Sequence, residues 1–316
     1  MREAIPRLLA ALHVREGSAR RILLTGWFSF PDGEVTAGDA LACRRVEAAL
    51  DAAGLAHDTA WSPGFAPSAL SLTQADPADY DTLVFVCGPL HGTQLERLHA
   101  RYRGCRRIAV GVSVIDPRSP AVTGFDLVLA RDGARAPAEP DLAATAPLRA
   151  LPPLAGLVLT FGQGEYGARR RHDALGEGLT RWLSGRDCGR IEADTRLATG
   201  DWRHASTAEQ YLAIVSRLDV VVTTRLHGLV LALRAGTPVL AVDPVDGGAK
   251  VTAQARALRW PALLAADRAA PGELDRWWEW CLSPRGTAAA RRRARLMERA
   301  AERAAAGAGH PPAPER

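Results

Sequence analysis

Lysine is almost missing from this chain: of 40 Lys+Arg, only Lys250 is lysine. Such an imbalance resembles the output of a GC-rich coding sequence, in which positions content with a generic cation drift to arginine. The one retained lysine points to a need for a compact ammonium on a flexible stem, which the rigid guanidinium fork does not replace. Cysteine is sparse as well. Cys43, Cys87, Cys105, Cys188 and Cys281 are odd in number and never closer than 18 positions, which excludes a disulfide framework and a CxxC metal site and leaves reduced thiols in a cytosol as the expectation. No HExxH, GxxxxGK[ST], GxSxG or EF-hand pattern occurs and no histidine pair has metal-ligand spacing, so no metal is predicted. No apolar run reaches the length of a transmembrane helix. The apolar stretch Leu8 to Leu12 is too short for a secretory signal and lacks a small-residue cleavage site, so a cytoplasmic protein is expected.

What is present is ordinary for a soluble globular protein, with a hydrophobic fraction of 47% and a charged fraction of 24%. The net charge of +5 does not mark a nucleic-acid binder, because six Arg and two Glu between Arg291 and Arg303 account for nearly all of it. That segment reads as the solvated face of a basic helix, with peripheral membrane or partner contact as the alternatives. Its apolar side is mostly alanine, Leu296 and Met297 apart, so membrane insertion would be weak.

Short β-branched or Leu-rich runs alternate with helical patterns along nearly the whole length, the signature of an α/β fold with parallel sheets. Strands are expected at Ile22 to Thr25, Thr82 to Cys87, Arg107 to Val112, Leu127 to Ala130, Gly156 to Phe161, Arg190 to Ala193, Leu218 to Val222 and Pro238 to Val242. Helices fill Ala37 to Ala53, Gly92 to Tyr102, His172 to Leu183, Thr207 to Arg217, His227 to Arg234, Glu273 to Cys281 and Thr287 to Ala305. The pattern lapses over Ala134 to Pro153, an Ala- and Pro-rich linker. Two Rossmann-like domains facing a cleft follow, over 1–145 and 146–306, with a disordered tail at 307–316. No internal sequence repeat is found.

One segment concentrates chemistry. After the strand ending at Val222 come Thr224, Arg225, Leu226, His227 and Gly228, then Gly236, Thr237 and Pro238, and finally Lys250. A helix N-terminus offers unpaired N–H groups and a positive dipole end to an anion, an arginine adds a bidentate fork, and a histidine beside it exchanges protons near neutral pH. Taken singly, Arg225 could pair with a local carboxylate and His227 could cap the helix; together with the glycine and the lone lysine they favour a site. Other candidates carry competing structural readings. Asp39 is either a ligand contact or a first-turn acid favoured by the helix dipole. Arg131 is either an anion clamp or the partner of the adjacent Asp132. The loop Gly162, Gln163, Gly164, Glu165, Tyr166 reads as a βα turn that could face the cleft, Cys87 as a buried thiol with His91 nearby, and Trp277, Trp278 and Trp280 as packing rather than a sugar platform.

Over about Glu209 to Leu258 the chain resembles the polysaccharide pyruvyl transferases, which carry an Arg-Leu-His motif after a strand, a Gly-x-Pro turn and a following lysine. Here these are Arg225, Leu226 and His227, then Gly236 to Pro238, then Lys250. Ile22 to Gly26 with Gly38 and Asp39 resembles the family's opening strand and Gly-Asp element, Asp81 to Gly88 its second glycine-bearing strand, and Asp126 to Asp132 its valine-arginine-acid element. The resemblance implies a glycosyltransferase-B-like fold and transfer of a pyruvyl group from phosphoenolpyruvate to a sugar hydroxyl, forming a ketal and releasing phosphate. It implies His227 as proton carrier and Arg225 as anion clamp, with Arg131 as a second clamp from the opposite domain. Lys250, Thr224, Gly228 and Asp39 complete the expected substrate contacts. Phosphoenolpyruvate is then a donor substrate, a sugar-containing molecule the acceptor, and no cofactor is expected. The alternatives are a glycosyltransferase whose C-terminal turn holds a nucleotide diphosphate, with Asp243 or Asp246 on the ribose, and a degenerate relative that only binds.

Overall fold

Parallel strands covered by helices on both faces must be apolar along their whole length, and the longest runs of this chain behave accordingly. The computed structural model describes residues 4–13, 21–133 and 138–307. The chain divides into two compact units, Met1–Arg149 and Ala150–Arg316.

In the first unit α1 (Ala4–His13) precedes β1 (Ile22–Thr25), α2 (Ala37–Ala52), β2 (His57–Thr59), β3 (Thr82–Val86), α3 (Thr93–Arg101), β4 (Arg106–Val114), α4 (Pro120–Thr123) and β5 (Leu127–Gly133). The sheet order is β2-β1-β3-β4-β5, all parallel. The second unit runs β6 (Leu154–Val158), α5 (His172–Ser184), β7 (Gly189–Glu192), α6 (Ala208–Val215), β8 (Val220–Thr223), α7 (Leu226–Ala235), β9 (Val239–Asp243), α8 (Lys250–Ala257), β10 (Leu263–Ala265), α9 (Pro271–Leu282) and α10 (Pro284–Gly307). Its order, β10-β9-β8-β6-β7, is again parallel. Renumbered within each unit, both sheets are the doubly wound 2-1-3-4-5 arrangement. The repeat that the sequence conceals is therefore topological, and each unit is an α/β layer of Rossmann type.

The eight expected strands and seven expected helices all form, with ends moved by at most three residues. Two strands and three helices go beyond them. β2 is half-buried and polar, and β10 is only three residues long; both are edge strands. α1 buries Ile5, Leu8 and Leu12 on one face, and α4 is a single turn begun by Ser119 and Pro120. α8 has no cap in its own sequence. Its first turn is capped from β9 instead, where the buried Asp243 carboxylate accepts from the amides of Ala249 and Thr252 at 2.7 Å each.

The core of the second unit joins the β6, β8 and β9 valines to Leu229 and Leu233 of α7 and to the tryptophans. Trp278 meets Trp182 edge-on with ring centres 5.6 Å apart, and Trp280 stands between Trp260 and Trp277, so this patch is packing. The basic helix α10 is held by α7 and α9, with Ala290 fully buried. No helix among the described residues is long and apolar enough to cross a membrane. Of the expected linker, residues 134–137 lie outside the described residues, as does the expected tail from residue 308 onward.

Candidate functional site

In a doubly wound sheet the crevice for ligands opens at the carboxyl ends of the two strands where the order reverses. In the second unit those strands are β6 and β8. The turn from β8 into α7 carries Thr224, Arg225, His227 and Gly228, and the loop after β6 carries Thr160 and Gln163 to Tyr166. The two turns are tied together, because the Thr160 amide donates to Thr224 Oγ1 at 3.1 Å. Thr224 is buried and thereby fixes the mouth of the crevice.

Arg225 is the N-cap residue of α7, and among the described residues no side chain caps that helix. Its first-turn amides and dipole therefore face the crevice, as an anion site requires. Gly228 makes that placement possible. A Cβ there would stand 2.3 Å from Thr223 Oγ1 and 3.0 Å from Val158 Cγ1, so only glycine lets α7 begin this close to the strand ends. Thr223 cannot yield readily, since its hydroxyl donates to the Val158 carbonyl at 2.7 Å and accepts from the Arg225 amide at 2.9 Å. At the far end of α7, Gly236 takes a left-handed φ of 82° and closes the helix.

His227 is exposed and makes no hydrogen bond or ion pair among the described residues, leaving both ring nitrogens open to a ligand. Arg225 Nη1 stands 2.5 Å from Asp194 Oδ1, a carboxylate 31 positions earlier on the loop after β7. Lys250 opens α8 after the neighbouring strand β9. Its ammonium lies 4.0 Å from Glu165 and 5.8 Å from the centre of the Tyr166 ring, so the lone lysine is bound to the loop after β6.

Packed against that loop is a residue whose place in a site has no signal along the chain. His172, 1% exposed, is within 3.3 Å of Gln163 Oε1, and Gln163 in turn donates to Thr160 Oγ1 at 3.3 Å. Burial, then the Arg170 and Lys250 charges, lower the His172 pKa and favour the neutral ring. A neutral imidazole that donates through Nε2 leaves Nδ1 as an acceptor, and among the described residues that atom has no partner. His172 reads in sequence as the first residue of a helix, and only the packed loop brings it to Gln163.

The first unit treats its candidates differently. Asp39 forms a capping box with Thr36, and its second oxygen accepts from Cys87 Sγ at 3.2 Å. Burial first, and then the hydrogen bond to Asp39, push the Cys87 thiol up to about 12, so it stays protonated at neutral pH. His91 stacks on Trp27 at 5.2 Å. Arg131 lies within β5 rather than beyond it. Its guanidinium donates to Asp132 at 2.8 Å, to Ser113 at 2.7 Å and to Asp141. Thr224, Arg225, His227, Gly228 and Lys250 thus follow the carboxyl ends of β8 and β9 in one sheet, whereas Asp39 and Arg131 belong to separate networks of the other unit.

The two acids considered for a ribose are also engaged. Asp243 is fully buried and caps α8, while Asp246 pairs with Arg171 at 2.6 Å beside a cavity of about 720 Å³.

A comparison with curated proteins finds no match. Among solved structures, the chain is similar to the kitacinnamycin glycotransferase at 13% identity, covering 90% of this chain and 98% of that one with a TM-score of 0.32. Spinosyn forosaminyltransferase SpnP gives 13% identity, 89% and 95% coverage and a TM-score of 0.33. E. coli heptosyltransferase WaaC with ADP gives 12% identity, 82% and 99% coverage and a TM-score of 0.27. The model of the polysaccharide pyruvyl transferase family matches residues 189–246, from the first residue of β7 through the turn after β9, a span that contains Asp194, Thr224, Arg225, His227 and Gly228.

Proposed function

We propose that this chain is a transferase that moves the pyruvyl group of phosphoenolpyruvate onto a sugar or sugar-containing acceptor, forming a ketal and releasing phosphate. The observation that supports this best is the family match over 189–246, whose arginine and histidine stand at an uncapped helix N-terminus on the switch point of the sheet. Phosphoenolpyruvate must gain a proton at its methylene carbon, accept an acceptor hydroxyl at the adjacent carbon and lose phosphate. A second hydroxyl closing on that same carbon completes the ketal. His227, exposed and uncommitted, delivers the proton. Arg225 and the α7 amides hold one anionic end, and Lys250 is the nearby cation for the other. The scheme assigns no donor contact to Arg131 or Asp39, whose polar atoms are engaged inside the first unit.

The test is phosphate release from phosphoenolpyruvate with a panel of sugar acceptors. Arg225→Ala and His227→Ala are expected to abolish it, and release at the parent rate by both variants would overturn these roles. The nucleotide-sugar reading is separated by thermal stabilisation, since a ligand that binds only the folded state raises stability by mass action. Stabilisation by a nucleotide sugar and not by phosphoenolpyruvate would favour that reading.

A further inference from the structure

The candidate clamp is already holding a carboxylate. Arg225 Nη1 meets Asp194 Oδ1 at 2.5 Å, and Asp194 is steadied by the Arg196 amide, which donates to that oxygen at 2.9 Å. Both side chains keep about a third of their surface in solvent, 30% and 34%, so the pair sits at the mouth of the crevice rather than under it.

A third group belongs to the same place. Tyr211 of α6 is 2% exposed, and α6 packs against α7. Among the described residues the Tyr211 hydroxyl has no hydrogen-bond partner. A buried hydroxyl left unpaired is rare, because it loses its water and gains nothing. α6 sets this phenol against the helix that Arg225 opens, within electrostatic reach of Arg225 and Asp194, and burial pushes it up to about 12. The phenol therefore remains an O–H donor at any working pH.

On the reading of the site given above, we infer that Asp194 is a built-in occupant of the Arg225 seat, and that the donor's own carboxylate displaces it and takes up the Tyr211 hydroxyl as well. Asp194 presents to Arg225 the same planar, two-oxygen anion as the pyruvyl end of phosphoenolpyruvate, so the seat is shaped for a carboxylate. Its presence lowers the apparent affinity by the fraction of time the seat is filled. Tyr211 supplies the difference that favours the substrate: a hydrogen bond that the internal carboxylate does not make.

Two variants test this in the full-length protein by calorimetric titration with phosphoenolpyruvate, with pyruvate and inorganic phosphate as comparators. Asp194→Asn, which retains an oxygen for the Arg196 amide, is expected to tighten phosphoenolpyruvate about two- to fivefold, the scale of a part-exposed ion pair. Tyr211→Phe is expected to weaken phosphoenolpyruvate and pyruvate about tenfold, the scale of a hydrogen bond to a charged group, while phosphate binding stays unchanged. The same Tyr211→Phe protein should melt no lower than the parent in the absence of ligand, because it removes an unpaired buried hydroxyl. A purely structural tyrosine would instead lose stability and leave affinity alone, and that result overturns the inference. If the parent binds phosphoenolpyruvate, Arg225→Ala abolishes binding and both new variants bind as the parent does, the inference falls and the proposed function stands. If the parent binds no phosphoenolpyruvate, the functional reading falls and takes the inference with it.

Discussion

Gly228→Ala adds a single methyl group where α7 meets the strands, and its cost can be worked from the contacts. The new Cβ would lie 2.3 Å from Thr223 Oγ1 and 3.1 Å from Thr223 Cβ. Relief requires either a shift of α7 or rotation of Thr223, which breaks its bonds to the Val158 carbonyl and the Arg225 amide. Overpacking a buried site costs about 1–3 kcal/mol, and each hydrogen bond lost costs about 1 kcal/mol. The better helix propensity of alanine returns at most about 1 kcal/mol. A net loss of about 2 kcal/mol follows, which for a domain of this size lowers Tm by roughly 4–8 °C. Differential scanning calorimetry reads the shift, and phosphate release reads the displaced Arg225 and His227. The decisive comparison is the double variant with Thr223→Ala, which removes the clashing hydroxyl. Its destabilisation should fall short of the sum of the single variants by about 1 kcal/mol or more. Additivity within about 0.3 kcal/mol would refute the account of Gly228 as a close-approach residue.

Three further outcomes follow from the same geometry. Burial lowers the pKa of both His172 and His99 below the ordinary 6.5, so the unfolded chain binds more protons than the folded one as the solution is acidified. Their contribution to stability is present in full above pH 6.5 and is lost as pH falls toward the folded-state values; urea midpoints measured from pH 7.5 downward should decline, and His172→Gln should flatten the decline. Cys87, pushed up to about 12, should resist iodoacetamide in the native protein at pH 8, with mass spectrometry locating the first label at the less buried Cys188. Lys250→Ala should raise the KM for phosphoenolpyruvate more than it lowers kcat, and Lys250→Arg should restore only part of the loss, because the ammonium fits between Glu165 and the Tyr166 face.

Much of this architecture is legible in the chain because it is local. β1 reads as a strand and is one with the same ends, Ile22 and Thr25, since four buried residues in a row leave only one period to find. Asp39 reads as a first-turn acid of α2, and the structure adds Thr36, with which it forms a capping box. The turn from β8 into α7 is equally plain, because strand, arginine, histidine, glycine and helix are contiguous. α8 escapes the same logic. Its cap, Asp243, sits on a strand and reaches the helix through a loop.

The sequence by itself determined the eight strands and seven helices with clear periods, the alternation that demands parallel sheets, and the candidate residues Arg225, His227 and Lys250, because each rests on order or composition along the chain. Only the tertiary structure decided what those residues face. The reversal of strand order that makes β6 and β8 a crevice, the Asp194 carboxylate on Arg225, the packing of Tyr211 of α6 against α7 and the bond from Arg131 to Ser113 arise between residues that are not neighbours along the chain. Such contacts are selected by packing and by the cost of burying unpaired polar groups, and a linear pattern carries no record of either.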